Sequence, residues 1–589
     1  MQHARYQIGK AETLFLLAIP AILSVLFIAR HLPAVLGGEL RNPDSYMRLA
    51  RLRETLRLGS PVHEMMRDSS GDGSIVHWSH LLDTVLYGLS RPFALVMGPD
   101  AALHAAAVVF GPLNMALLGL ALAWAIAPFS ERRWLWLAPV AISFSPAIVA
   151  FGLVGVVHHH VACVTVAVMT SGWAARLILG WAPPVDGWRM GFWAGLGVWM
   201  TPETLPLSML GFGALWITWL RQSDSRALGQ AIGNVGLGLA ATVLLAWLVN
   251  PPYQGYLAED LDRVSVVFVV LAIAVAGTGL VIRALDDLLL APSARLWWSL
   301  AAGASFAAIW AILFAPTLLG AQGAVSDEAA RAMFGDIAEM APIRSAKQWM
   351  SYLMTGSLAT LALGALAQRR RWLILFYLTG CGIVLTGLGQ MHLRFAAYPE
   401  ALGAAMLPVL VTLCGDRVRA WPHWRQPLPR MATIILFVLL PFAAELSQST
   451  REAHAETRLA DAACPVSGLG PMLAPYAQRV ILTDINRAPE LQYRTAIITV
   501  GSLYHRNQAA FMRLRDAWRT TEAEAMPAAI QVARIEYVLF CRVPGRSALV
   551  KDLPTTTLLD RLSRNEPPAW LHQVASDPAS GHVLYRVGS

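Results

Sequence analysis

Apolar runs of about twenty residues recur along this chain, the length an α-helix needs to cross the hydrocarbon core of a bilayer. They begin near Leu14, Ala101, Trp134, His159, Trp188, Leu205, Leu228, Val264, Leu296, Met350, Trp372, Ala396 and Met431, and predict about thirteen spanning helices. After Glu445 the long runs stop. Short strand-like pieces (Arg479 to Thr483, Ala496 to Val500, Tyr537 to Cys541, His582 to Arg586) then alternate with helical ones (Gln508 to Trp518, Pro527 to Arg534, Thr556 to Arg564), the pattern of a small α/β unit. The expected architecture is an α-helical polytopic membrane protein over 1–446, with a small extracytoplasmic α/β domain over 447–589.

Arginine placement orients these spans, because short cytoplasmic loops collect Lys and Arg. Arg132 and Arg133, Arg176 and Arg189, Arg221 and Arg226, Arg283 and Arg295, Arg369 to Arg371, and Arg417 to Arg430 fall in every second connection. The N-terminus is then expected in the cytoplasm, with an uncleaved first helix. The other connections face out, among them a long first loop (37–100), a long fifth loop (320–348) and the tail, which would be periplasmic in a bacterial inner membrane. In the first loop, Met47 to Leu58 reads as amphipathic, with Leu49, Leu52 and Leu56 on one face and Arg48, Arg51 and Arg53 elsewhere. It is expected to lie on the membrane surface.

Composition supports the membrane reading. Of 589 residues, 56% are hydrophobic and 14% charged, with 21 Trp and a mean hydropathy of +0.49, outside the range of ordinary soluble enzymes. The net charge of +8 comes from arginines beside apolar runs, without a basic stripe interleaved with stacking aromatics, so nucleic acid is not an expected partner. Cys163, Cys381 and Cys414 fall in apolar runs as small buried hydrophobes. Cys464 and Cys541 lie in the polar tail, and a disulfide between them is open.

Chemistry-bearing side chains gather on the outward side: Asp44, the His158-His159-His160 run, Glu203 in Thr201-Pro202-Glu203, the Glu259-Asp260-Leu261-Asp262 group, Asp336 and Glu339, and Arg394. Carboxylates and imidazoles converging on one face suit a divalent cation or a general base, and an Arg among them suits a phosphate. Each also has a plainer use. Asp44 could cap the helix that starts near Ser45, His158 to His160 could be a wet helix end, and Arg394 could snorkel.

Asn42-Pro43-Asp44-Ser45-Tyr46 with Arg48-Leu49-Ala50, the His-rich turn, Asp336-Ile337-Ala338-Glu339-Met340-Ala341-Pro342 and Arg394-Phe395, in this topology, resemble the GT-C membrane glycosyltransferases, especially the catalytic subunit of oligosaccharyltransferases. The resemblance covers roughly the first three-quarters of the chain. It implies transfer of a sugar or oligosaccharide from a polyprenyl-phosphate or polyprenyl-diphosphate donor, at the outer face, to a glycan, lipid or protein acceptor. It places Asp44 on metal and acceptor, Glu339 on the acceptor and Arg394 on the lipid phosphate. His158 stands where that family carries a carboxylate, so the divalent metal, Mn2+ or Mg2+, is left open, His suiting Mg2+ poorly. The Trp-Trp-Asp element that reads a glycosylation sequon is absent. Tyr504 and His505 are candidate acceptor contacts in its place, and Glu203 is a third candidate acceptor contact. The alternatives are a transporter or flippase of a lipid-linked or anionic substrate, or a non-catalytic partner in glycan assembly.

Overall fold

The computed structural model describes residues 8–222, 226–288, 291–320, 333, 338–370, 373–419, 421–422, 425–449, 464–502, 504–541 and 556–588. Asp336 and most of the 320–348 loop lie outside these residues.

Each of the thirteen apolar runs is helical, but they are not thirteen straight spans. Nine helices among the described residues are long and apolar enough to cross a membrane, or up to eleven when two bent pairs each count once. The run from Trp134 bends by 75° between Ser143 and Pro146, and the run from Met350 by 66° between Tyr352 and Met354. Pro146 lacks the N–H that a continuous helix would need at that point. The runs from Trp188 and Leu205 give helices of 14 residues (Gly187–Met200) and 17 residues (Leu205–Arg221). Between them Pro202–Thr204 forms a 3-10 turn, the break that Thr201-Pro202-Glu203 predicts.

Close approach of backbones holds the bundle together. A Cβ on Gly191 would stand 2.2 Å from the Val235 carbonyl oxygen, and one on Gly195 2.6 Å from Thr242 Cβ. The Gly191-x-x-x-Gly195 spacing therefore serves to seat Gly187–Met200 against Arg226–Val249.

The first loop folds back onto the tail. Its helix Pro43–Leu58 is capped by Asn42, whose Oδ1 accepts from Ser45 N at 2.8 Å. It does not float on the membrane with its arginines outward. Leu49 and Leu52 are buried as expected, but Arg48 and Arg51 are only 2% and 0% exposed, while Leu56 is 41% exposed. The cause is an acidic partner thirty-odd positions on: Asp83, in the helix Leu81–Ala94, receives Arg51 at 2.6 Å and Arg48 at 3.8 Å. A strand pair, β1 (Glu64–Met65) and β2 (Ser74–Ile75), frames the turn that carries Asp68. Buried Asp68 accepts from Ser69 N (2.9 Å), Ser74 Oγ (2.7 Å), Thr499 Oγ1 (3.0 Å), Asn507 Nδ2 (3.3 Å) and Ser502 Oγ. Arg53 donates to the Tyr493 carbonyl at 2.7 Å and Arg67 to the Gln492 carbonyl at 2.7 Å. Loop and tail thus share one polar joint.

The tail strands are β3 (Val480–Leu482), β4 (Ile498–Thr499), β5 (Tyr537–Cys541), β6 (Leu571–Asp577) and β7 (His582–Val587), in the spatial order β4-β3-β5-β7-β6. The pairs β3–β4 and β3–β5 are parallel; β5–β7 and β6–β7 are antiparallel. Four of the five match the strand-like pieces in the sequence, and Gln508–Trp518 is the helix expected there. β6 escapes the pattern because it is an edge strand with mostly exposed side chains.

Cys464 and Cys541 form a disulfide that closes 77 residues of chain. By loop-closure entropy, reduction should lower the stability of this unit by about 2–4 kcal/mol. Thermal unfolding of Cys464→Ser followed by tail tryptophan fluorescence would register it, and an unchanged midpoint would show that the link restrains nothing.

Candidate active site

Asp44 occupies the first turn of Pro43–Leu58, where the positive end of the helix dipole favours an anion. The cap belongs to Asn42, which leaves the Asp44 carboxylate for other partners. Its Oδ2 lies 3.0 Å from His158 Nε2, and its Oδ1 accepts from the Tyr504 hydroxyl at 3.3 Å. Ser45 Oγ meanwhile accepts from Val157 N at 2.8 Å, so the Asn-Pro-Asp-Ser turn and the His-rich turn are stitched together through neighbouring residues. Burial raises the Asp44 pKa. The hydrogen bond and charge of His158, with Arg48 and His77, outweigh it, and the carboxyl sits below its ordinary value of 3.8.

The three imidazoles face one another at the start of the helix His160–Ile178. Each offers a ring nitrogen within 4.8 Å of the others. His158 Nδ1 and His160 Nε2 are buried without a hydrogen-bond partner. His159 differs, because Arg48 Nη2 stands 3.4 Å from its Nδ1. Burial, then the neighbouring imidazoles and the Arg48 and Arg394 charges, hold His159 well below the ordinary histidine pKa.

Glu339 reaches this cluster from the 3-10 turn Ala338–Met340, with its Oε2 3.8 Å from His160 Nε2. Burial raises its pKa, His160 and His158 lower it, and Asp44 raises it again; the net position is below 4.5. The two carboxylates therefore share one electrostatic neighbourhood. Arg394, in the turn Leu393–Ala396, is aimed at the next residue, its Nη1 lying 3.4 Å from Met340 Sδ. It is also ion-paired with Glu203. Asp44, His158, His160 and Glu339 follow one another in contact, and the Arg394–Glu203 pair stands beside them against Met340, the residue after Glu339; the six are drawn from five separate segments.

Tyr504 joins it through Asp44, but His505 turns away: its Nε2 meets Asp262 Oδ2 at 2.8 Å. Asp260 and Asp262 are occupied by Arg506. His77, Trp78 and Asp83 are not singled out by any motif in the sequence, and Arg48 figures there only in the amphipathic Met47 to Leu58 stretch and the Arg48-Leu49-Ala50 element. Arg48 stacks over Trp78 at 4.1 Å, and Trp78 meets Tyr504 edge-on at 5.0 Å. The available signal was Asp83, the one acid in the mostly apolar helix Leu81–Ala94.

The three imidazoles, flanked by the Asp44 and Glu339 carboxylates and with two buried ring nitrogens unsatisfied, fit a divalent transition cation better than Mg2+. The arrangement can also hold a proton on Asp44 and an anion on Arg394.

No protein-family model and no curated protein matches the sequence. Solved structures do. The archaeal oligosaccharyltransferase AglB from Archaeoglobus fulgidus, in complex with an inhibitory peptide and a dolichol-phosphate, is similar with a TM-score of 0.69 at 12% identity, over 91% of this chain and 70% of that one. The Archaeoglobus fulgidus oligosaccharyltransferase in complex with Zn and sulfate gives 0.64 at 14% identity, over 89% and 67%. The same enzyme tethered with an acceptor peptide containing the NVT sequon gives 0.66 at 11%, over 91% and 69%. At such identities the likeness is one of fold, and it fits the GT-C membrane architecture expected from the sequence.

Proposed function

We propose that this chain is an inverting GT-C glycosyltransferase that moves a sugar or oligosaccharide from a polyprenyl-phosphate or polyprenyl-diphosphate donor to an acceptor at the outer, periplasmic face of a bacterial inner membrane. The observation that carries the reading is the convergence of Asp44, His158, His160 and Glu339, with Arg394 against the neighbouring Met340, from four separate segments. A disulfide in the tail suits an oxidising compartment, and the fold neighbours include a complex with a dolichol-phosphate.

In the transfer step the acceptor heteroatom attacks the anomeric carbon from the face opposite the phosphate. The carbon–oxygen bond to phosphate breaks as the new bond forms, and the lipid phosphate leaves with the bonding pair. Asp44 holds the acceptor's proton, and the His158 imidazole against Oδ2 keeps that carboxylate ionised beforehand. Glu339 orients the acceptor. Arg394 exchanges Glu203 for the donor phosphate and stabilises the leaving charge with a forked pair of N–H donors. His158 and His160, with Asp44 and Glu339, are the residues that would hold a divalent cation. Bound there, it would neutralise phosphate charge as a Lewis acid. Tyr504 fixes the Asp44 rotamer from the tail side. The missing Trp-Trp-Asp element takes away the sequon reader, so the acceptor class is set by the first loop and tail of this chain.

Transfer by the purified full-length chain from a synthetic polyprenyl-linked sugar tests the reading, and absence of transfer with every donor class offered would reject it. Arg394→Ala should raise the donor KM about tenfold or more, the worth of one hydrogen bond between charged groups. Measuring KM and kcat separately on donors with and without the phosphate charge checks this; an unchanged KM would remove Arg394 from the donor site.

A further inference from the structure

A second group of potential ligands shares no residue with the His158–His160 cluster and makes or breaks no bond in the transfer step. His77 comes from the first loop, just after β2. Asp262 comes from the connection between the helices Arg226–Val249 and Val266–Asp287, and His505 from the tail. One ligand atom of each lies within 4.8 Å of the others. The His77 and His505 rings are 4.3 Å apart, and His505 Nε2 is already 2.8 Å from Asp262 Oδ2. His77 Nδ1 is buried with no hydrogen-bond partner, although a polar atom in that position normally has one.

The surroundings are those of a braced site. Arg506 holds Asp262 in place with Nε at 2.8 Å from Oδ2, and its Nη2 reaches Asp260 Oδ1 at 2.9 Å. Metal-bound carboxylates are usually oriented by such outer hydrogen bonds. The adjacent residues Trp78 and Tyr504 pack edge to face, which fixes how His77 and His505 approach. The side chains of His505 and Asp262 are 29% and 25% exposed, so an ion has a way in.

We propose that His77, Asp262 and His505 form a second divalent-metal site, taking a borderline transition cation such as Zn2+ with two imidazoles, one carboxylate and water. The ion clamps three outward segments from distant parts of the chain. It does so one residue from Tyr504, whose hydroxyl rests on Asp44. Its role is to hold the tail closed over the site, and it takes no part in bond making.

The test loads the full-length chain in detergent with Zn2+ alone, dialyses it, and counts zinc per chain by elemental analysis. The His158→Ala/His159→Ala/His160→Ala variant, which lacks the other candidate cluster, should keep one equivalent, and adding His77→Ala should take it to none. Zinc retained after His77→Ala is added, or none held before it, would overturn the proposal. X-ray absorption of the zinc-loaded His158→Ala/His159→Ala/His160→Ala protein covers the case in which the variant with His77→Ala added misfolds: two imidazoles and oxygen around zinc support the site, and a shell without imidazole rejects it. Transfer is not read in either measurement, so loss of the glycosyltransferase reading would leave this one standing.

Discussion

Asp44→Asn lowers transfer by about 10³-fold while the protein stays folded, the loss expected when a positioned proton acceptor is removed. The substitution keeps the shape of the side chain and an oxygen for the Tyr504 hydroxyl. It removes the charge and the basic oxygen that His158 supports at 3.0 Å. Helix capping is untouched, because Asn42 supplies the cap. Losing a negative charge in the first helical turn costs roughly 0.3–1 kcal/mol, far too little to account for a thousandfold fall through unfolding. The measurement is initial rate with the purified chain and a polyprenyl-linked donor, with the melting temperature taken on the same sample. Full activity would remove Asp44 from the chemistry. A parallel fall in rate and melting temperature would give it a structural role.

How far this site was legible in the sequence depends on the residue. Asp44, His158, His160, Glu339 and Arg394 could be picked out because an ionisable group beside an apolar run is expensive and stands out against its neighbours. Which of them meet could not be read, since Asp44, the His158–His160 run, Glu339 and Arg394 come from four different segments. His505 shows the limit: its neighbour Tyr504 meets Asp44, whereas His505 meets Asp262, and nothing in Tyr504-His505-Arg506-Asn507 separates the two. The helices were legible as apolar runs, yet the short Ser143-Phe144-Ser145-Pro146 stretch does not end its run, and hydrophobicity passes smoothly through Leu353. The two bends there leave no mark on it. β5 is buried over Val538 to Phe540 and announced itself; β6, polar and at the sheet edge, did not.

The first-loop arginines are the sharpest failure of pattern reading, because charge defaults to solvent, and they carry the second large prediction. Arg48 and Arg51 point inward onto Asp83, whose side chain is 6% exposed. Arg51 also donates to the Trp78 carbonyl at 3.0 Å and the Ser79 carbonyl at 3.3 Å, so its guanidinium is fixed by more than one partner. Asp83→Ala strands two buried cations and should destabilise the protein by about 3–5 kcal/mol, the usual consequence of removing one member of a buried pair. Asp83→Leu with Arg51→Met should recover part of that loss, since a buried apolar pair carries no unpaired charge. The pH dependence has a definite sign. Burial raises the Asp83 pKa, but Arg51, His80 and Arg48 bring it below 3.8. The stabilisation is therefore complete above that ordinary value and is lost as pH falls through the lower folded one. Thermal unfolding of wild type and Asp83→Ala from pH 7 downward should show two midpoints that converge in acid. Midpoints that stay equally far apart at every pH would show that the Asp83 charge is not what holds these arginines inside. Arg48 Nη2 lies 3.4 Å from His159, so the same variant should also lose transfer activity at temperatures where it is still folded, a loss that a purely distant stability defect would not produce.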